Sequence, residues 1–357
     1  MGTIRAVLKG TGVEVPPILV DNHMLSKVID TNDDWIRERS GIVTRYFAEP
    51  DVGSSDLGAA AAKKALRAAS IDATDLDYLV CATMTPDHYF PGSGTLILEQ
   101  LGLDSLPALD IRQQCAGFAY GMQVVDALIK SRTAETVLLV GCDVHTSLMP
   151  FSEEAWDVLF GRTDEPLGRQ EFEWLSQFRH LLVLFGDAAG AMVFQAEEDG
   201  DERGILGTRL LGDGRRRDIL FVPGGGSAYR PWVDAAMIRE GRTVPHMDGR
   251  QVFKLAVTKM PRITRELLEQ EGLTLDDLDL LIMHQANLRI NEAAQRALKL
   301  PPEKVHNNIQ KYGNTTSATL PLCFHEACEM GKAPPGSIVA FTALGAGLHW
   351  GSVLLRV

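Results

Sequence analysis

The sequence predicts an α/β fold built from two copies of one unit. Strand-length apolar runs alternate with helix-period segments along the chain, the pattern of mainly parallel, buried sheets. The hexapeptide Asp75-Leu76-Asp77-Tyr78-Leu79-Val80 is echoed 202 positions later by Asp277-Leu278-Asp279-Leu280-Leu281-Ile282. The length of 357 residues leaves room for about two domains at roughly 150 residues each.

The elements follow in order. Residues 57–69 are Ala-rich and helical, and 76–83 form a short buried strand carrying Tyr78 and Val80. Residues 117–130 are apolar at helical spacing, and 136–140 form a strand. Further on, 252–271 is a long helix, 278–283 a strand and 289–298 a helix. Residues 319–330 form another helix, 337–342 a strand and 351–357 the last strand. Both copies of the echo follow a helix and a short polar link, 71–74 and 273–276. The helix and strand after Cys115 are matched by those after Asn314 at nearly the same offset, so two matches occur in one order. The halves fall at 1–195 and 205–357, and the acidic, Gly-bearing stretch 197–203 suits the crossover.

Composition narrows the function classes. Apolar residues make up 45% and charged residues 23%, which permits a sizeable core and excludes a disordered chain. The net charge is −12, and no basic block exceeds Arg215-Arg216-Arg217, which argues against a general nucleic-acid binder. No apolar run approaches the roughly 18 residues of a membrane span. Residues 1–12 lack the pattern of a signal peptide, and Ala6 breaks the myristoylation pattern. The five cysteines, odd in number and without a Cys-x-x-Cys pair, predict reduced thiols and a cytoplasmic location.

Three residues stand where a duplicated α/β unit gathers ligands, at strand ends and helix starts. Cys115 sits in Asp-Ile-Arg-Gln-Gln-Cys-Ala-Gly-Phe before a helix, whose N-terminus favours a thiolate. His284 ends a strand and opens the polar loop His-Gln-Ala-Asn-Leu-Arg-Ile. Asn314 lies in Lys-Tyr-Gly-Asn-Thr-Thr-Ser-Ala and also precedes a helix, nearly equivalent to Cys115. Read alone, each has a plainer explanation: a buried thiol, a structural histidine, a turn. Cys81, Cys142, Cys323 and Cys328 read as structural, as do His23, His180, His306 and His325. Residues 344–348 are a glycine turn between strands, and Gly224-Gly225-Gly226 lacks the ending of a phosphate loop.

Taken together, these segments resemble β-ketoacyl-acyl-carrier-protein synthase III, of the thiolase-like superfamily. The resemblance runs through residues 33–42, the Cys115 segment, 185–190, 247–254, 284–290, 312–317 and 345–351. The set Cys–His–Asn discriminates within that superfamily, and the Trp35 motif favours the synthase III branch over plant-type polyketide synthases. The resemblance implies a thiolase-like duplicated fold in α/β/α/β/α layers with mainly parallel central sheets. It implies a decarboxylative Claisen condensation through an acyl-Cys115 intermediate, without metal or redox cofactor. His284 and Asn314 bind the malonyl thioester oxygen, and the N–H groups of Cys115 and Ala346 form an oxyanion hole.

Other positions carry over by the same resemblance. Trp35 and Arg39 meet the adenine of coenzyme A, Asn287 the pantetheine, and Phe90 the acyl pocket of a partner subunit in a homodimer. Lys254, Arg289 and Arg296 match the basic patch that receives an acidic carrier protein. Substrates are an acyl-coenzyme A or acyl-carrier-protein primer and malonyl-acyl-carrier protein. Two departures stand out. Ala346 replaces a usual glycine, and an insertion at about 145–182 carries many aromatic residues, reading as two short amphipathic helices around 161–168. It is either a surface elaboration or a lid for a longer or unusual primer. The alternative function is a synthase III-like ketosynthase of a polyketide pathway.

Overall fold

The computed structural model describes residues 4–198 and 202–357. The first part contains β1 (Ile4–Glu14), α1 (Ser54–Ala69), β2 (Tyr78–Ala82), β3 (Ala108–Ile111), α2 (Gly117–Lys130), β4 (Thr136–Asp143) and β5 (Ala188–Glu198). The second contains β6 (Gly204–Gly212), α3 (Gly249–Gln270), β7 (Leu280–Met283), α4 (Leu288–Leu298), β8 (Val305–His306), α5 (Thr319–Glu329), β9 (Ile338–Gly345) and β10 (His349–Arg356). The crossover expected at 197–203 lies partly outside the described residues.

The two five-stranded sheets share one topology. Their strand orders are β1-β5-β4-β2-β3 and β6-β10-β9-β7-β8. In each, the central pairs are parallel, while β5 and its counterpart β10 run antiparallel to both neighbours. Helices α2 and α5 lie between the sheets. Side chains alternate along each strand accordingly. Val80, Val137 and Leu139 face this central layer together with Ile282, Val339 and Phe341. Their neighbours Leu79, Leu138 and Val140 face α1, and Leu281 and Ala340 face α3 and α4. Five layers, α/β/α/β/α, result. Both faces of each sheet are buried, which is why these strands read as unbroken apolar runs.

The repeated Asp-Leu-Asp has a structural task. The Asp77 N–H donates to Thr136 O at 2.9 Å, and Asp77 Oδ2 accepts from Thr136 N at 2.8 Å. Asp279 does the same with Ile338, at 3.0 and 2.8 Å. Each carboxylate starts the neighbouring strand. That is why β2 and β7 begin two residues later than their apolar runs suggest. The longest helix, α3, begins three residues earlier than its apolar period, at a turn where Asp248 Oδ1 accepts from Gln251 N at 3.0 Å.

Between β4 and β5, residues 145–182 form a short turn (His145–Leu148) and three helices, Glu153–Phe160, Arg169–Ser176 and Arg179–Leu182. The first two match the expected pair; the third is additional. Trp156, Phe160, Phe172 and Trp174 are half-buried against Ile36, Ile42 and Phe47. Among the described residues no helix is long and apolar enough to cross a membrane.

Candidate active site

The two halves meet where their backbones pass unusually close. A side chain on Gly186 would lie 2.3 Å from Tyr312 O, and one on Gly313 would lie 2.9 Å from Leu184 O. Gly313 also has φ +68°, a conformation glycine adopts without steric cost. The approach lets Asn314 N donate to Leu184 O at 2.8 Å and Gly186 N donate to Asn314 O at 3.1 Å. Asn314 is thus held by backbone from the other half. Its Oδ1 accepts from Thr316 N at 3.0 Å.

Asp143, at the end of β4, is fully buried and joins the halves electrostatically. Its Oδ1 accepts from Thr83 Oγ1, Met84 N, Thr85 N and Thr85 Oγ1 at 2.8 to 3.1 Å. Its Oδ2 accepts from Ser317 N at 2.8 Å. A buried carboxylate is tolerated only with such a full complement of donors. Asp187 likewise pins the next turn, accepting from the N–H groups of Ala48, His145 and Thr146 and from Thr146 Oγ1.

Cys115 lies in a 3-10 turn (Gln114–Ala116) that leads into α2. Thr316 leads into α5 in the same way, in the turn Thr316–Ala318. The offset of 202 that relates the strands pairs Cys115 with Ser317, three residues beyond Asn314. Gln114 and Thr316 are then mates, and both have positive φ, +44° and +48°. The same offset pairs Asp143 with Gly345. Where Asp143 takes the N–H of Ser317, Gly345 has no side chain to take that of Cys115. A Cβ there would stand 2.9 Å from both Cys115 N and Ala116 N. The missing side chain lets the end of β9 pass close to the Cys115 turn, whose Ala116 N–H donates to Gln113 O at 3.0 Å.

The thiolate expected at the helix start is not the resting form. Burial first, then the Asp143 charge, pushes the Cys115 thiol up to about 12, against the opposing help of its own N–H and the Thr316 hydroxyl. His284 N donates to Thr342 O at 2.9 Å, which fixes the residue at the end of β7. Its ring is buried, and neither ring nitrogen has a protein partner among the described residues. Burial, aided by nearby His145, lowers it to about 3, so the ring is neutral. His145 is itself lowered to about 4 by burial. Its Nε2 bonds Thr316 Oγ1, and its ring stacks on Phe185 with centroids 4.2 Å apart.

The remaining sequence-selected residues form three further groups. Trp35 and Arg39 share the helix Asp33–Ser40, capped by Asn32, whose Oδ1 accepts from Trp35 N at 2.8 Å. The Arg39 guanidinium lies 4.5 Å from the Trp35 ring centre, and Arg179 lies 4.6 Å from it. Arg179 was not singled out from the sequence; nothing local links it to Trp35. The Asn287 amide is engaged by protein: Nδ2 donates to Arg39 O at 2.7 Å, and Oδ1 caps α4 through Arg289 N at 3.0 Å. Lys254 on α3 and Arg289 and Arg296 on α4 are exposed on two helices packed together. Arg296 pairs loosely with Glu292, at 3.9 Å. Phe90 is 81% exposed, beside exposed Tyr89. A small cleft lined by His145, Leu148, Met149, Leu181, Leu182 and Phe185 is apolar except for the imidazole.

The chain resembles known proteins over nearly its whole length. The family described as 3-oxoacyl-[acyl-carrier-protein (ACP)] synthase III matches residues 109–162, and its C-terminal counterpart matches 268–357. A β-ketoacyl-[acyl-carrier-protein] synthase III of Granulibacter bethesdensis is 40% identical over 99% of both chains. The crystal structure of the Aquifex aeolicus 3-oxoacyl-[acyl-carrier-protein] synthase III superposes with a TM-score of 0.83 at 35% identity, covering 99% of this chain and 100% of that one. A priming β-ketosynthase from the R1128 polyketide pathway gives 0.84 at 30% identity, covering 98% and 96%.

The buried histidines set an acid sensitivity. Their folded pKa values lie below the ordinary 6.5, so the stability they contribute is full above pH 6.5 and is lost as pH falls toward about 3 to 4. Asp187, raised to about 6 chiefly by burial, acts in the opposite sense between 3.8 and 6. It cancels when variants are compared. A His284→Gln variant should lose less stability between pH 7 and 4 than the parent, by on the order of 3 kcal/mol. Melting temperatures across that range measure it; parallel curves would contradict the neutral, buried ring.

Proposed function

This chain belongs to the β-ketoacyl-[acyl-carrier-protein] synthase III family, and on that premise we propose the roles of its residues. The enzyme condenses an acyl thioester primer with malonyl-acyl-carrier protein, releasing carbon dioxide and a β-ketoacyl product. Cys115 attacks the primer and carries the acyl group. The N–H groups of Cys115 and Ala346 receive the oxyanion. Malonyl decarboxylation leaves an enolate, whose oxygen takes hydrogen bonds from neutral His284 and from the Asn314 amide. The observation that carries this reading is His284, buried, neutral and with both ring nitrogens free of protein partners among the described residues. An imidazole that donates without becoming charged is suited to a forming enolate.

The substrate path follows from the neighbouring groups. Trp35, flanked by Arg39 and Arg179, offers a face for the adenine of coenzyme A. Asn287 holds that helix to α4 and borders the pantetheine route. The cleft beside His145 takes the acyl chain. Leu148, Met149, Leu181 and Leu182 from the 145–182 insertion line much of it, which favours an insertion that shapes the primer. Exposed Phe90 suits a homodimer contact, and the two repeat units extend over 1–195 and 205–357. Five free cysteines suit a cytoplasmic enzyme. The second reading, priming of a polyketide pathway, is supported by the likeness to the R1128 ketosynthase.

His284→Ala and Asn314→Ala should each slow malonyl decarboxylation by about 100-fold or more, while Cys115 acylation stays within a few-fold of the parent. Equal retention of both half-reactions would contradict the assigned roles. Lys254, Arg289 and Arg296 dock the carrier protein by charge complementarity. Arg289→Glu should raise KM for malonyl-carrier protein and flatten its salt dependence, leaving acyl-coenzyme A kinetics unchanged. An unchanged KM removes Arg289 from the patch.

A further inference from the structure

A buried thiol at rest needs a proton acceptor before it can attack a thioester. His284 is assigned elsewhere, and no hydrogen bond connects it to the sulfur. A different chain of contacts does reach Cys115. The turn that carries Thr316 packs against the turn that carries Cys115, where the Thr316 hydroxyl favours the thiolate, and Thr316 Oγ1 bonds His145 Nε2. His145 comes from the turn after β4 and Thr316 from the opposite half, 171 positions apart in the sequence.

We propose that Thr316 and His145 form the route by which the Cys115 proton leaves during acylation, His145 acting through Thr316 as a positioning residue. This rests on Cys115 being the acylated residue. The Sγ–H bond breaks toward Thr316 Oγ1 while the Thr316 O–H proton passes to His145 Nε2. The Sγ electron pair forms the bond to the primer's carbonyl carbon. When that carbon releases its original sulfur, the departing thiolate recovers the proton through Thr316, and both residues return to their starting states.

Three observations support the route. His145 is buried and neutral, so one ring nitrogen has a lone pair to offer, and the route requires the tautomer in which that nitrogen is Nε2. The Asp143 carboxylate raises the proton affinity of His145, which favours the transient imidazolium. Thr316, a β-branched residue, is held at φ +48°, a conformation that costs on the order of 1–3 kcal/mol and persists at sites where the surroundings impose it. Here the surroundings are the Asn314 Oδ1 bond to Thr316 N and the His145 bond to its hydroxyl.

The test measures single-turnover acylation by intact-protein mass, with an acyl-coenzyme A, alongside malonyl decarboxylation. The proteins are the parent, His145→Leu, Thr316→Val, their double variant and Thr316→Ser. Each of the first two should acylate about 100-fold more slowly, and the double variant no more slowly than either. Thr316→Ser, which keeps the hydroxyl, should stay within a few-fold. Decarboxylation should remain near the parent rate in all. Parent-like acylation by His145→Leu, additive losses in the double variant, or equal loss of both half-reactions would overturn the route. A parent enzyme that never acquires the acyl mass on Cys115 would instead overturn the functional reading beneath it.

Discussion

The site depends on one buried carboxylate. Asp143 takes four hydrogen bonds from the Thr83–Thr85 turn and one from Ser317, across the boundary between the halves. Without that charge, Thr83 Oγ1, Met84 N and Ser317 N would lose their acceptor at the centre of the molecule, each a loss of about 1–3 kcal/mol. Its repeat mate, Gly345, shows what the duplication allows. One copy of the position carries an acceptor and builds structure. The other carries no side chain and lets the strand end pass close to the Cys115 and Ala116 amides.

Burial then fixes the charge state of the groups to which the chemistry is assigned. It raises the Cys115 thiol and lowers both His145 and His284, so all three are uncharged at neutral pH. This arrangement suits a reaction in which negative charge moves among a thioester oxygen, an enolate and a departing sulfur. Neutral donors meet that charge as it forms and release the neutral product afterwards. The arrangement also means that thiol activation is not free, which gives the Thr316–His145 contact its significance.

Much of the fold was legible because both faces of each sheet are buried, so β4 and β9 read as plain apolar runs. The Asp77 and Asp279 echo was legible because each carboxylate performs the same strand-starting bond. Cys115, His284 and Asn314 were legible as polar residues at strand ends and helix starts. Arg179, Asp143, Thr316 and His145 were not. Their partners lie far off in sequence, 174 positions for Asp143 and Ser317 and 171 for His145 and Thr316. No local period encodes which residue meets them. The raised Cys115 thiol was hidden for a related reason: a helix start is visible in sequence, whereas burial beside a carboxylate from another strand is not.

The most direct measurement is the mass of the intact protein after mixing with an acyl-coenzyme A, followed by peptide mapping of the adduct. The account predicts one acyl group on Cys115, removed when malonyl-acyl-carrier protein is added and recovered as a β-ketoacyl product. An adduct on Cys328, the one partly exposed cysteine, or no adduct with any primer would contradict it.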